Sequence, residues 1–461
     1  MVFILFFLLF INIFSLVYNN IFVTMSLTFV VLLVFFLLYL FKDKLNILLI
    51  SYLIPVSLIL FSIVLIPWTK TEYRVGPIPV VYIPFLLYAI VISFMGVFQG
   101  KGIRINSGDK LINLSLAYFL CFSTFSFLWV VDITSWFVYL AQWYIYIICI
   151  FGFTTKYFYF NGENAIYRVI RFMVVAIGFI SFSGLIKFFA FDYPDANPIL
   201  LLNRNASIFA MLPFIPFLFA LIQMSKNKII YVILLTVVFL DILFIFSRTA
   251  YLSVILCVVI YLFLIRRDIG FFNYLKIFYF GLYGVLVVFS MAYLFLEESL
   301  VQSLLSRFML ISNIFNFFEN GLQSLGSSDI RRGQLITAGI EIFKSHYLLG
   351  TGLGIDNYLH YFPQHINTTP GRAHNLYVSY LAEFGVVGFS FLLFFLLYTG
   401  YYFYKSTLSI KKKINQYFGY AFVSGHLMLL VSFAGNEYIT FPIVWFFWGL
   451  GFAYFRINKM S

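Results

Sequence analysis

The sequence predicts an all-α polytopic membrane protein, with about 12–14 transmembrane helices and one large extracytoplasmic loop. Three observations predict it. Of 461 residues, 63% are hydrophobic and only 10% charged, and the mean hydropathy is +1.00; a soluble domain is roughly half apolar and about a quarter charged. Apolar runs recur from end to end, each long enough for a helix across a hydrocarbon core about 30 Å thick, without the period-two alternation of a barrel. Basic residues collect in alternate loops. This composition excludes a soluble globular protein, a disordered chain, a disulfide-stapled secreted domain and a nucleic-acid binder with an incidental anchor. Membrane lipids are the expected surroundings, and no nucleic acid is expected as a partner.

The runs place spans at 2–17, 21–41, 45–67, 79–97, 111–131, 133–154, 169–190, 206–224, 229–247, 249–265, 271–296, 375–404, 417–435 and 438–455. The first, MVFILFFLLFINIF, has no basic n-region and no small-residue cleavage site, so it reads as a spanning helix and not as a removable signal. Cys121, Cys149 and Cys257 all lie in apolar runs, which argues against a disulfide framework or a metal cluster. Loops on the side of Lys42 and Lys44 hold 19 basic residues, and the opposite side holds 10. Basic residues favour the cytoplasm, so both termini are expected there. The same rule explains most of the net charge of +12 without a polyanionic partner.

Three segments follow: an N-terminal transmembrane bundle (1–296), a long outer loop (297–374) and C-terminal transmembrane helices (375–461). Long ordered loops are usually functional. Within this one, RRGQLITAGIEIFKSH (331–346) puts Leu335, Ile336, Gly339, Ile340 and Phe343 on one helical face, an amphipathic helix expected to lie on the outer membrane surface. LLGTGLGIDNY (348–358) follows as a glycine-rich turn. No Lys-Ser/Thr follows its glycines, so it is not a nucleotide P-loop.

Polar residues converge near that loop. His346, His360, His365 and His374 account for four of the five histidines, but their spacings give no metal-ligand pair, and no metal is expected. The first three read as exposed loop or interfacial histidines. His374 sits beside Asn375 at the mouth of the span beginning at 375. On the same side lie Arg204, Arg248, Arg331, Arg332 and, about one turn inside a span, Lys187. Boundary cations often only snorkel. Gathered at one rim, they also suit an anionic head group held at the interface, such as a lipid-linked diphosphate, whose oxygens match the planar fork of Arg. Asp241, Glu383 and His426 fall inside spans and read first as polar contacts between helices. Glu383 lies nine residues beyond His374, too far along a helix to pair with it directly.

The region 248–388 resembles the bacterial O-antigen ligase and O-antigen polymerase family, whose members move lipid-linked glycans on the outer face of the inner membrane. Three motifs carry the resemblance: Arg248-TAY-Leu252; a loop helix from Arg332 into LLGTGLG; and His374-Asn375, nine residues, then Gly385-VV-Gly388. Tyr347 departs from the pattern, standing where many relatives carry Pro. The resemblance implies a C-type glycosyltransferase-like fold in the bacterial inner membrane, with a periplasmic site and neither cofactor nor metal. Its donor would be an undecaprenyl-diphosphate-linked oligosaccharide. Its acceptor would be either a second lipid-linked oligosaccharide (polymerase) or lipid A core (ligase), with room for a chain-length regulator protein. By motif position, Arg248 and Arg332 would bind the diphosphate; Arg204 and Lys187, cations of the same outer side that lie outside the motifs, are expected to join them. His374 would act on the acceptor hydroxyl, supported by Arg331, Asn375 and Glu383. Residues with AT-rich codons abound, which tips the reading toward the polymerase. A lipid-linked-glycan flippase is the alternative from another class; it would spread charge along a central cavity, whereas here charge gathers at one face.

Overall fold

The computed structural model describes residues 109–190, 204–245, 247–269 and 327–460, together with a two-stranded antiparallel pairing of Arg74–Val75 (β1) with Ile78–Pro79 (β2). The expected spans 2–17, 21–41, 45–67, 79–97 and 271–296 lie outside the described residues, Pro79 apart. What is described is otherwise helical, as predicted. The helices are α1 (Lys110–Phe125), α2 (Ile133–Tyr144), α3 (Phe153–Asn161), α4 (Glu163–Ala190), α5 (Arg204–Met211), α6 (Ile215–Met224), α7 (Lys228–Phe244), α8 (Arg248–Ile269), α9 (Ser327–Ser345), α10 (Ile355–His360), α11 (Leu376–Ser409), α12 (Lys413–Phe433) and α13 (Pro442–Met460). A π-helical stretch, Ile145–Gly152, joins α2 to α3 without a break in direction. Among the described residues, six helical stretches are long and apolar enough to cross a membrane. Each expected span in these regions coincides with helix. Residues 206–224 divide into α5 and α6 at a 3-10 turn, Leu212–Phe214, where Pro213 and Pro216 each remove an amide donor.

Side-chain capping sets several helix starts. Asp109 accepts from the amides of Leu111 and Ile112, Asp132 from Ser135, and Asn375 from Val378. The core between α1, α2, α11, α12 and α13 is aromatic, as a chain with 22% aromatic residues must be. Trp445 stacks on Phe395, and Trp143, Phe151 and Trp448 meet it edge-on. Such pairs contribute about 0.5–1.5 kcal/mol each beyond the area they bury. In lipid, where no hydrophobic drive separates helix from solvent, this interlocking specifies the packing. His426 is a core member: Trp448 Nε1 donates to its Nδ1 at 3.0 Å, and its Nε2 lies 3.0 Å from the carbonyl of Leu396. Both ring nitrogens are therefore satisfied by helix contacts, as expected for that residue.

The helix ends fall into two groups. At one end, Asn357 Oδ1 accepts from the amides of Val131 and Asp132 at 2.9 and 2.6 Å. Ser247 donates to Asn205 at 2.6 Å there, Gly435 faces Thr249, and Asn375 Nδ2 donates to the carbonyl of Ala434 at 3.0 Å. At the other end, Tyr167 donates to Glu163 and Asn415, and Asn415 donates to Asn458. The first end gathers the starts of α5, α8 and α11 with the whole segment from Tyr347 to Asn375. The second carries the lysine-rich turns around Lys226 and Lys411–Lys413.

The glycine turn breaks α11. Gly385 has φ 59° and ψ −172°, and residues 347–352 run alongside the break. Thr351 and Gly352 donate their amides to the carbonyls of Ala382 and Glu383 at 3.0 and 2.9 Å. In return, the amides of Val386 and Val387 donate to the carbonyls of Tyr347 and Leu348 at 2.8 and 3.2 Å. The inserted turn thus replaces the ladder that the break removes, the condition for irregular backbone at membrane depth. The roughly 24 residues after Gly385 rise about 36 Å, enough to span the hydrocarbon core unaided.

Both glycines at the crossing are needed for backbone contact. A Cβ on Gly350 (φ 72°) would collide with the Glu383 carbonyl, and one on Gly385 with the Leu348 carbonyl. Gly385 therefore serves a chain crossing and not the helix–helix approach that its spacing with Gly388 suggests. Gly388 does serve such an approach, against the Phe122 ring of α1. Gly350→Ala is expected to lower the unfolding temperature in detergent. A left-handed Ala costs about 1–2 kcal/mol before the collision is counted. Gly371→Ala, whose nearest new neighbour is Leu335 Cδ2 at 3.9 Å, should leave it nearly unchanged.

The loop helix forms as expected, as α9, with a different buried face. Leu335, Ala338, Gly339 and Ile342 are buried, Ile336 and Phe343 are half-buried, and Ile340 is 40% exposed. The face is rotated because α9 docks on protein: Gly339 sits against Val378, Tyr358 and Ala373.

Candidate functional site

The segment 371–375 passes between α9 and the head of α11, and each residue from 372 to 375 is tied down. Arg372 Nη2 pairs with Glu383 Oε1 at 2.5 Å, and its Nε lies 3.9 Å from Glu437 Oε2. Glu383 is fully buried, immediately before the break in α11. The rings of Tyr139 and Tyr380 lie 4.9 and 5.9 Å from the Arg372 guanidinium. Burial works against the charge of Arg372, but Glu383 and the surrounding groups more than offset it and raise its pKa. The amide of Ala373 donates to Ser379 Oγ at 3.1 Å, and Ser379 donates in turn to Glu437 at 2.5 Å. The amide of His374 reaches Glu437 as well. Burial pushes the Glu437 carboxyl up to about 7, against the opposing pull of Arg372, Ser379 and that amide.

His374 has φ 49°, the one positive φ of a non-glycine among the described residues. Such a backbone is held only where its surroundings over-determine it, and it clusters at functional sites. Its side chain is exposed. Partial burial first, then the positive charges of Arg332 and Arg331, hold its pKa below the ordinary histidine range. Arg332 lies one turn before Leu335 on α9, whose Leu335–Gly339 surface packs on Gly371 and Ala373. The structure therefore brings together His374, Arg331 and Arg332, with Asn375 capping α11 beside them and Glu383 beneath.

Arg248 and Arg204 are the first residues of α8 and α5, at the same end of the bundle as His374. Lys187 lies in the last turn of α4, about one turn inside the span as expected. It is 1% exposed, with Asp241 of α7 as an electrostatic partner. A buried carboxylate offsets its charge, as Asp241's depth in a span requires. The other loop histidines spread over the surface. His365 meets Glu341 at 3.2 Å with its side chain 71% exposed, His346 packs on Tyr361, and His360 is exposed. Among the described residues no group of three or more His, Cys, Asp or Glu is placed to hold a metal ion.

Sequence reasoning missed Arg372, Glu437 and Asn357 as site-forming residues. Arg372 stands two residues before His374, and Glu437 lies in a short polar gap between two apolar runs. Each had a local signal, but only the fold shows that they meet.

The described part of the chain is thus a helical bundle with spans long enough to cross a membrane, and it carries a histidine and arginines at one end over a buried ion-pair network. Residues 230–393 match the family model described as O-antigen ligase, and this supports the O-antigen ligase and polymerase family to which the motifs pointed. The match spans Arg248, Arg332, His374 and Glu383; Arg204 and Glu437 lie beyond it. Members of that family are glycosyltransferase-like enzymes acting on lipid-linked glycans. Among curated proteins the chain has no match.

Proposed function

We propose that the protein is an O-antigen polymerase of the bacterial inner membrane, with a C-type glycosyltransferase-like arrangement. It transfers a glycan from undecaprenyl diphosphate to a sugar hydroxyl of a second lipid-linked oligosaccharide at the periplasmic face. The observation that carries the transferase reading is the placement of His374 beside Arg331 and Arg332, at the end of the bundle where α8 begins with Arg248. Partial burial and the two arginines favour the neutral imidazole, the form a general base requires. In the reaction, the acceptor oxygen forms a bond to the anomeric carbon and its proton passes to His374. The bond from that carbon to the diphosphate oxygen breaks, and its electron pair leaves on undecaprenyl diphosphate. Arg248 and Arg332 stabilise that anion, with Arg204 nearby and Arg331 tuning the histidine. Lys187, matched by Asp241, stays structural. The large loop then faces the periplasm and both termini the cytoplasm, in keeping with the loop charge bias. The choice of polymerase over ligase rests on composition.

Protein reconstituted with a lipid-linked oligosaccharide tests the proposal. A ladder of longer lipid-linked glycans supports the polymerase. Product formed only when lipid A core is added makes it a ligase, and translocation without transfer makes it a flippase. The pH profile gives a second check. Removing a neighbouring cation stabilises imidazolium, so Arg331→Gln should raise the His374 pKa. The acid limb of the transfer rate should then move to higher pH than in the wild type.

A further inference from the structure

We infer that Arg372 is a positioning residue whose clamp between Glu383 and Glu437 holds His374 in its left-handed conformation facing Arg331 and Arg332. The inference rests on the reading of His374 as the base of the transfer reaction. Arg372 touches no reacting atom; it acts through the residue two positions further on.

The clamp has three anchors from separate parts of the chain. Glu383 belongs to α11 at the point where the glycine turn crosses it. Glu437 lies in the connection between α12 and α13, and it also takes the relay from Ala373 through Ser379 and the amide of His374. Tyr139, on α2, packs on the guanidinium. One guanidinium thus gathers the loop, the broken helix, the last connection and an N-terminal helix around the backbone that carries His374. An exposed surface pair would contribute little. Here Glu383 is fully buried, so its carboxylate needs the guanidinium, and the ion pair dictates where residue 372 must lie. With residue 372 fixed by the ion pair and Asn375 by the helix cap and Ala434, only two residues connect the anchors. His374 at φ 49° is what closes so short a link. Lys in place of Arg372 keeps the charge but loses the planar fork that reaches two carboxylates at once.

The test compares Arg372→Gln, Arg372→Lys and the double variant Arg372→Gln/Glu383→Gln, which removes both charges of the close pair and leaves Glu437 its bonds from Ser379 and the His374 amide, so that the fold is retained. Two measurements are made on the full chain in detergent. The first is glycan transfer with lipid-linked oligosaccharide, resolved into kcat and donor KM. The clamp predicts that kcat falls about 10²-fold, the usual consequence of an ångström-scale misplacement, with donor KM little changed. It also predicts that Arg372→Gln costs nothing further in a His374→Ala background. The second is the rate of His374 carbethoxylation by diethyl pyrocarbonate as a function of pH, read by mass spectrometry, which does not depend on the reaction assigned. A released His374 moves away from Arg331 and Arg332, so its midpoint should rise toward the ordinary histidine value. An unchanged kcat, an unchanged midpoint in the double variant, or a loss that adds to that of His374→Ala would each overturn the clamp. If the wild-type protein transfers no glycan, the functional reading falls and the His374 midpoint alone decides the clamp.

Discussion

Replacing His374 with Asn should reduce glycan transfer by about 10²–10⁴-fold, the range a general base supplies, while binding of the lipid-linked donor persists. Asn is the informative substitution because of the backbone. At φ 49° an alanine costs about 1–2 kcal/mol in strain, whereas Asn visits the left-handed region routinely. His374→Asn therefore removes the imidazole and keeps the turn, and His374→Ala removes the imidazole and adds strain. Both should be inactive, with Ala also less stable. Donor binding separates the roles. The diphosphate is assigned to arginines on α8 and α9, so a variant that lost the donor as well would move His374 into the diphosphate pocket. His346→Ala, His360→Ala and His365→Ala give the contrast. Their contacts are with Ser345 and Tyr361 or with Glu341 at the surface, or in solvent, and each should retain substantial activity.

The helices were legible in the sequence because hydropathy is a local property. Every described span coincides with helix, although 206–224, expected as one run, divides into α5 and α6 at Pro213 and Pro216. The face of α9 was not legible. An amphipathic helix laid on lipid would bury its largest apolar residues, whereas α9 meets the backbone near Ala373 and so buries the small Ala338 and Gly339 and leaves Ile340 out. The role of Gly385 was not legible either, since its spacing with Gly388 cannot reveal that another stretch of chain crosses the helix there. His374 and Arg332 stood out through their motifs and do come together. Arg372 and Glu437 did not, because a lone Arg and a lone Glu in separate loops acquire meaning only when tertiary structure makes them neighbours.

Arg332→Lys and Arg248→Lys should each lower transfer by about 10²–10³-fold, equivalent to roughly 2.7–4 kcal/mol of lost transition-state stabilisation. Charge alone does not meet the need. As the anomeric bond breaks, negative charge spreads over diphosphate oxygens, and a guanidinium offers two parallel donors to them where an ammonium offers a point charge. The loss should therefore appear mainly in kcat, since the interaction strengthens only as the leaving group charges. The two arginines sit on different elements, α8 and α9, and a shared diphosphate makes them neighbours through the substrate. Their double variant should then lose less than the product of the single losses, as residues acting on one group are not additive. Near-full transfer by Arg248→Lys would reduce that residue to a snorkelling anchor. Strictly multiplicative losses would mean that Arg248 and Arg332 do not serve one anion, and the single diphosphate pocket at this end of the bundle would have to be given up.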